Sequence, residues 1–208
     1  MEKTILCFGD SNTWGANPAN HERFPRDVRW TGILQKLLGE KYYVVEEGCC
    51  SRTTVWDDPV EDVKDGKSCL LPCLQSHRPI DLVVLLLGTN DLKARYSVPP
   101  SDIARSVGVL AKIVLNSTTG PQEKAPKLLV VVPPMLNRLV EYADMFAGGM
   151  EKSQNLAFNY KKVTDELGIP LFDANEVVVT SALDGIHWEA SEHTKFARAL
   201  AQIIPTLV

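Results

Sequence analysis

The chain has no apolar stretch long enough to cross a membrane. Its longest uninterrupted aliphatic run is residues 82–87, far short of the ~20 residues a helical span requires. No basic run exceeds a pair, and 22 Lys and Arg stand against 26 Asp and Glu, for a net charge of −4. Such a balance leaves no electrostatic footprint for a phosphate backbone, so neither a membrane nor nucleic acid is expected as a partner. The opening MEKTILCFGD lacks the charged-then-apolar layout of a secretory signal, which points to a soluble cytoplasmic protein. The five cysteines, Cys7, Cys49, Cys50, Cys69 and Cys73, are an odd number, which argues for reduced thiols rather than a disulfide framework. Neither a P-loop nor a G-x-G-x-x-G fingerprint occurs.

What is present is the balance of an ordinary globular protein, with 45% hydrophobic and 23% charged residues in a chain of 208. That length fits one domain, residues 1–208, with a substantial core. TILCFGD, DLVVLLLGTND and KLLVVVPP are short β-branched and aliphatic runs ended by Gly, Pro or small polar residues, the pattern of buried parallel strands. YYVVEEG and IPLFDA are weaker candidates. Between them apolar residues recur at helical spacing: Trp30, Ile33, Leu34, Leu37 and Leu38 before Gly39; Ile103, Val107, Leu110 and Val114 after a cap at Ser101; Leu156, Tyr160, Val163 and Leu167 before Gly168; and Phe196, Leu200 and Ile203 before Pro205. Alternating strands and helices predict an α/β fold in which a parallel sheet of about five strands is covered on both faces.

Ligands of such sheets bind outside the carboxyl ends of the strands. Ser11 follows the first strand in GDSNT, and Asn90 follows the third in GTND, so topology places both on one edge of the sheet. DGIH, with Asp184 and His187 three apart, precedes the last helix. A serine hydroxyl is a weak nucleophile unless a base, usually an imidazole oriented by a carboxylate, takes its proton. A turn lets Asp184 accept from one ring nitrogen of His187 while the other faces Ser11. The negative oxygen of a tetrahedral intermediate also needs donors, and the Ser11 N–H at a helix start and the Asn90 amide are candidates. Taken singly, each residue reads as an N-cap, a turn residue or a satisfied histidine; together they supply nucleophile, base, orienting acid and oxyanion donor.

These three blocks, in this order, resemble those of the GDSL or SGNH hydrolase family of serine esterases, and DVRWTG, EEGCCSRTT and LPCL resemble its arylesterase and acyltransferase branch. The resemblance implies a flavodoxin-like three-layer α/β/α fold, Ser11 as nucleophile and Asp184 and His187 as its partners, with no cofactor. The family's glycine block falls on EEGCCS, which puts Ser51 at the position of the donating glycine and Gly48 at the earlier small residue. A serine there departs from the pattern, yet its backbone N–H can still donate. The implied reaction is hydrolysis of short-chain or aryl carboxylic esters through an acyl-enzyme on Ser11, with water or an alcohol as acceptor. Ser11 is not set in the G-x-S-x-G of an α/β-hydrolase.

Position alone makes Asn12, Trp14, Thr89 and Ile186 candidates for substrate contact. Trp14, Trp56 and Trp188 read first as packing, and Cys49 and Cys50 as small filler flanking the pocket. His21, His77 and His193 receive no role. Cys69, Cys73 and His77 share i, i+4, i+8 spacing, but Pro72 interrupts that segment and no fourth ligand is evident, so no metal is assigned. The acidic stretch DDPVEDVKDG reads as a solvated loop. ANPANHERFPRD and PPMLNRLVEYADMFAGGM carry Phe24, Met135, Leu136, Met145 and Phe146, which would wall a pocket or, as in relatives of the branch, form a homo-oligomer interface. The alternative is a phosphate- or nucleotide-binding module in which SNT cradles an anion at a helix N-terminus.

Overall fold

Strands flanked by crossovers on both faces must be apolar on both sides, and the three richest aliphatic runs become the three central strands of the sheet. The computed structural model describes residues 2–208. β1 (Lys3–Gly9) leads into a one-turn helix α1 (Ser11–Trp14), then α2 (Trp30–Leu38), β2 (Tyr42–Gly48) and α3 (Gly66–Ser76). β3 (Leu82–Leu86) is followed by α4 (Pro100–Leu115), β4 (Lys127–Val132), the short α5 (Gly149–Ser153) and α6 (Leu156–Leu167), then β5 (Leu171–Asp173) and α7 (Ala190–Leu207). All five strands are parallel, in the order β2-β1-β3-β4-β5, the doubly wound flavodoxin-like arrangement.

Side chains alternate across the sheet with period two. Leu6, Phe8, Val83, Leu85, Val130 and Val132 face one layer, where they pack with residues of α3, α4 and α6, including Leu70, Leu110 and Tyr160. Ile5, Cys7, Val84, Leu86, Leu129 and Val131 face the other, where α2 and α7 contribute Trp30, Leu34, Phe196 and Leu200. Trp188 is wholly buried in this second layer, with its ring 4.9 Å from that of Phe196.

Three sequence expectations change. α4 begins at Pro100 after Pro99, without a side-chain cap, so Ser101 lies inside its first turn; proline suits a position whose N–H has no helical partner anyway. Pro205 lies within α7, which runs on to Leu207, because the lost N–H forfeits a single bond near the helix end. Pro72 is likewise internal to α3, on an exposed face where the carbonyl it leaves unpaired meets water.

The sheet's topological switch point lies between β1 and β3. Their ends are in register, Gly9 pairing with Gly48 on one side and Leu86 on the other, so the segments carrying Ser11, Ser51 and Asn90 leave the same rim. At Gly48 the end of β2 presses directly on α1: a Cβ there would sit 2.1 Å from the Trp14 backbone nitrogen. Gly48→Ala is therefore expected to push α1 away from β2 and to lower the thermal unfolding midpoint. Calorimetry on the two proteins checks this.

Candidate active site

Four chain segments meet at the rim, and each is held by its own local chemistry. Asp10 caps α1, its carboxylate accepting from the Asn12 N–H at 3.0 Å, and this leaves Ser11 as the first helical residue with an N–H unused by the helix. Arg52 cross-links the next two segments: its guanidinium donates to the carbonyls of Gly9, at 2.9 Å, and Glu47, and it stacks over Phe8. After β3, Gly88 takes a left-handed φ of 124° where a Cβ would meet the Tyr160 hydroxyl. That hydroxyl donates to Leu87 O at 2.7 Å. The Asn90 amide then donates to Arg52 O at 3.2 Å, and the buried Asp91 carboxylate accepts from the Thr54 N–H and hydroxyl.

The fourth segment is the turn before α7. The Asp184 carboxylate accepts from the N–H groups of Ile186 and His187, both at 2.9 Å, and from the His187 ring at Nδ1, 2.6 Å away. The other ring nitrogen, Nε2, lies 2.9 Å from the Ser11 hydroxyl. Burial alone would raise the Asp184 carboxyl, but the hydrogen bonds from the His187 ring and from the Ile186 and His187 N–H groups hold it below the ordinary carboxylate range. The arrangement can draw a proton from Ser11 onto an imidazole whose tautomer is set by an ionised carboxylate.

A cavity of about 360 Å³ opens over this array. Ser11, Ser51, Asn90, Ile186 and His187 line it, as do Ala16, Tyr142, Met145 and Phe146 on an apolar side and Glu61 and Lys93 on a charged one. Ser51 sits at φ 64°, a left-handed conformation that glycine adopts without strain. Of the substrate candidates, Ile186 reaches the cavity. Asn12 instead donates its side-chain amide to Ile186 O at 3.3 Å, bracing the Asp184–His187 turn. Trp14 lies under the Arg23 guanidinium, and Thr89 is buried behind the rim. Cys50 also lines the cavity, but burial, followed by the Asp10 charge, pushes its thiol up to about 11, so it is a neutral thiol rather than a competing nucleophile.

The charged side of the cavity corrects the reading of the acidic stretch as a solvated loop. Asp58 is buried and bonds to Arg95 at 3.1 Å and Tyr96 at 2.7 Å, and Glu61 bonds to Lys93 at 2.7 Å and Arg95 at 2.8 Å. Burial would raise Glu61, but hydrogen bonds from Lys93 and Ser51 hold it lower. The partners Lys93 and Arg95 lie more than 30 residues downstream, and composition gives no sign of such pairing. His21, assigned no role from sequence, lines the cavity, and its ring lies 3.0 Å from Glu141. His193 is fully buried and accepts the Trp30 N–H at the start of α2. An anion cradled by SNT is disfavoured, since α1 has only four residues and the Asp10 carboxylate already occupies its N-terminal donor.

A hydroxyl, an imidazole and a carboxylate joined in sequence, beneath a cavity at the switch point of a parallel α/β/α sheet, are the features of a hydrolase site. Residues 7–193 match the GDSL-like lipase/acylhydrolase family, and the chain belongs to that family, which makes it a carboxylic ester hydrolase. Its structure is similar to that of the M. smegmatis aryl esterase, at 43% identity and a TM-score of 0.95, with 99% of this chain and 100% of that one covered. It is also similar to a carbohydrate acetylesterase from Sinorhizobium meliloti, at 38% identity and a TM-score of 0.96 with both chains covered completely. None of the curated proteins matches. Among the described residues no helix is long and apolar enough to cross a membrane.

The buried Asp91 sets a stability test. Burial pushes its carboxyl from 3.8 up to about 7, against the hydrogen bonds from Thr54. Between those values the unfolded chain has lost the proton while the folded chain keeps it, so this group's contribution to stability falls as pH rises from about 4 to about 7. Asp91→Asn is expected to flatten that decline, which thermal midpoints measured across the window will read.

Proposed function

We propose that the chain is a serine esterase acting on small carboxylic esters through an acyl-enzyme on Ser11. The observation that carries this reading is the continuous hydrogen-bonded path from the Asp184 carboxylate through both nitrogens of His187 to the Ser11 hydroxyl. Ser11 Oγ attacks the ester carbonyl as its proton passes to His187 Nε2, and Asp184 stabilises the resulting imidazolium. The oxyanion is met by the N–H groups of Ser11 and Ser51 and by the second N–H of the Asn90 amide, whose first is held by Arg52 O. His187 returns the proton to the departing alcohol. A water, or a second alcohol entering the apolar side of the cavity, then attacks the acyl group as His187 takes its proton; the Ser11 Oγ–acyl bond breaks, His187 returns that proton to Ser11, and the acid or new ester leaves.

The cavity volume, near the lower end of the range for small-molecule sites, favours a short acyl group or a single aromatic ring. Tyr142 and Phe146 on the apolar side support an aryl ester, and the aryl esterase and acetylesterase likenesses point to the same substrates. Residues 1–208 act as one catalytic domain in this reading, and the exposed Met135, Val140 and Met150 of the long segment after β4 support association between copies of the chain.

With an aryl acetate as substrate, Ser11→Ala and Asp184→Asn are expected to remain folded, with kcat reduced on the order of 10⁶-fold and 10⁴-fold respectively, the scales found for such substitutions in serine proteases. Wild-type turnover in Ser11→Ala would refute the assignment. Supplying an alcohol alongside water, and measuring ester against free acid formed, reads the acyl transfer.

A further inference from the structure

A second cluster of chemically capable side chains lies at the ends of β2 and α3, among residues that do not line the cavity. Glu47, near the end of β2, and Cys73 and His77, one turn apart at the end of α3, bring a carboxylate oxygen, a thiol sulfur and an imidazole nitrogen within 4.8 Å of one another. Sequence spacing groups Cys69, Cys73 and His77, to which no metal is assigned. Cys69 lies outside the cluster, and the third group comes from the sheet. Because Pro72 is accommodated within α3, the helix continues and Cys73 and His77 remain on one face.

We propose that Glu47, Cys73 and His77 form a zinc-binding site, with water as the fourth ligand. Sulfur, imidazole nitrogen and carboxylate oxygen are the three donors zinc takes in proteins. Tetrahedral bond lengths place such donors roughly 3.5 Å apart, so small side-chain rotations suffice to close the site. His77 Nε2 is already 2.9 Å from Glu47 Oε1, and both side chains are about one-third exposed, which leaves an entry path for the ion and room for the water. The charges balance: zinc, one carboxylate and one thiolate sum to zero, so the Arg52 guanidinium, which anchors Glu47 O, faces no net charge. On binding, the Zn–S bond forms as the Cys73 thiol releases its proton to solvent, and no group is oxidised or reduced. The bound ion would fasten the end of β2 to α3, the two elements between which the Ser51 segment runs.

The test is titration of the metal-stripped full chain with zinc against a chromophoric chelator, and with cobalt(II), followed by the thiolate-to-cobalt absorption. Wild type is expected to bind one equivalent and to show the cobalt band. Cys73→Ser should lose the band, and His77→Ala should weaken zinc binding more than about ten-fold, the least that removing even an outer-shell partner costs. Cys69→Ser should behave as wild type, and metal-free Cys73→Ser should retain ester turnover. Zinc should raise the thermal midpoint of wild type but not of Cys73→Ser. Absence of stoichiometric binding to wild type overturns the proposal. Binding that survives Cys73→Ser overturns it equally, by moving the ion to other thiols.

Discussion

The contact between Ser11 and His187 joins residues 176 positions apart, and its geometry depends on the whole sheet. Ser11 is placed by β1, whose register with β2 and β3 brings three strand ends to one level. His187 is placed by the packing of α7 against α2, where Trp30, Trp188 and Phe196 are all fully buried. A slip of one residue in β1 would turn Ile5 and Cys7 toward the wrong helical layer and carry α1 off the rim. Rim precision is thus a consequence of core packing rather than of the loops alone.

The loops add fixation by polar links between neighbours at the switch point. Arg52 joins the ends of β1 and β2, Asn90 and Asp91 join the segment after β3 to the one after β2, and Asn12 joins α1 to the turn before α7. Each link uses a buried polar side chain, and apart from the Arg52–Glu47 bond its partner lies far away in sequence, so loss of a linking side chain leaves a buried group unsatisfied at a cost of about 1–3 kcal/mol. The left-handed backbone of Ser51 belongs to the same framework, since a strained residue persists only where its surroundings over-determine it.

Much of this architecture can be read from the sequence, for definite reasons. β1, β3 and β4 are legible because a strand buried on both faces must be apolar throughout, and Ser11, Asn90, Asp184 and His187 because each follows a strand or precedes a helix at the rim. The helix boundaries at Pro100 and Leu207 and the continuity through Pro72 were not, because a proline's cost depends on whether the missing N–H and the freed carbonyl are exposed. Nor was the Asp58–Glu61–Lys93–Arg95 network, since an acidic run looks solvated until its cations are folded against it. Glu47 belongs with Cys73 and His77 only through the placement of β2 beside α3, which no spacing along one helix reveals.

Whether the Ser11 hydroxyl is the activated group can be read directly by exposing the protein to a fluorophosphonate and locating the adduct by intact mass and peptide mapping. A single adduct on the peptide carrying Ser11, formed by wild type and lost in His187→Ala, is the expected result. An adduct on any other residue, or labelling that proceeds undiminished without the imidazole, would contradict it.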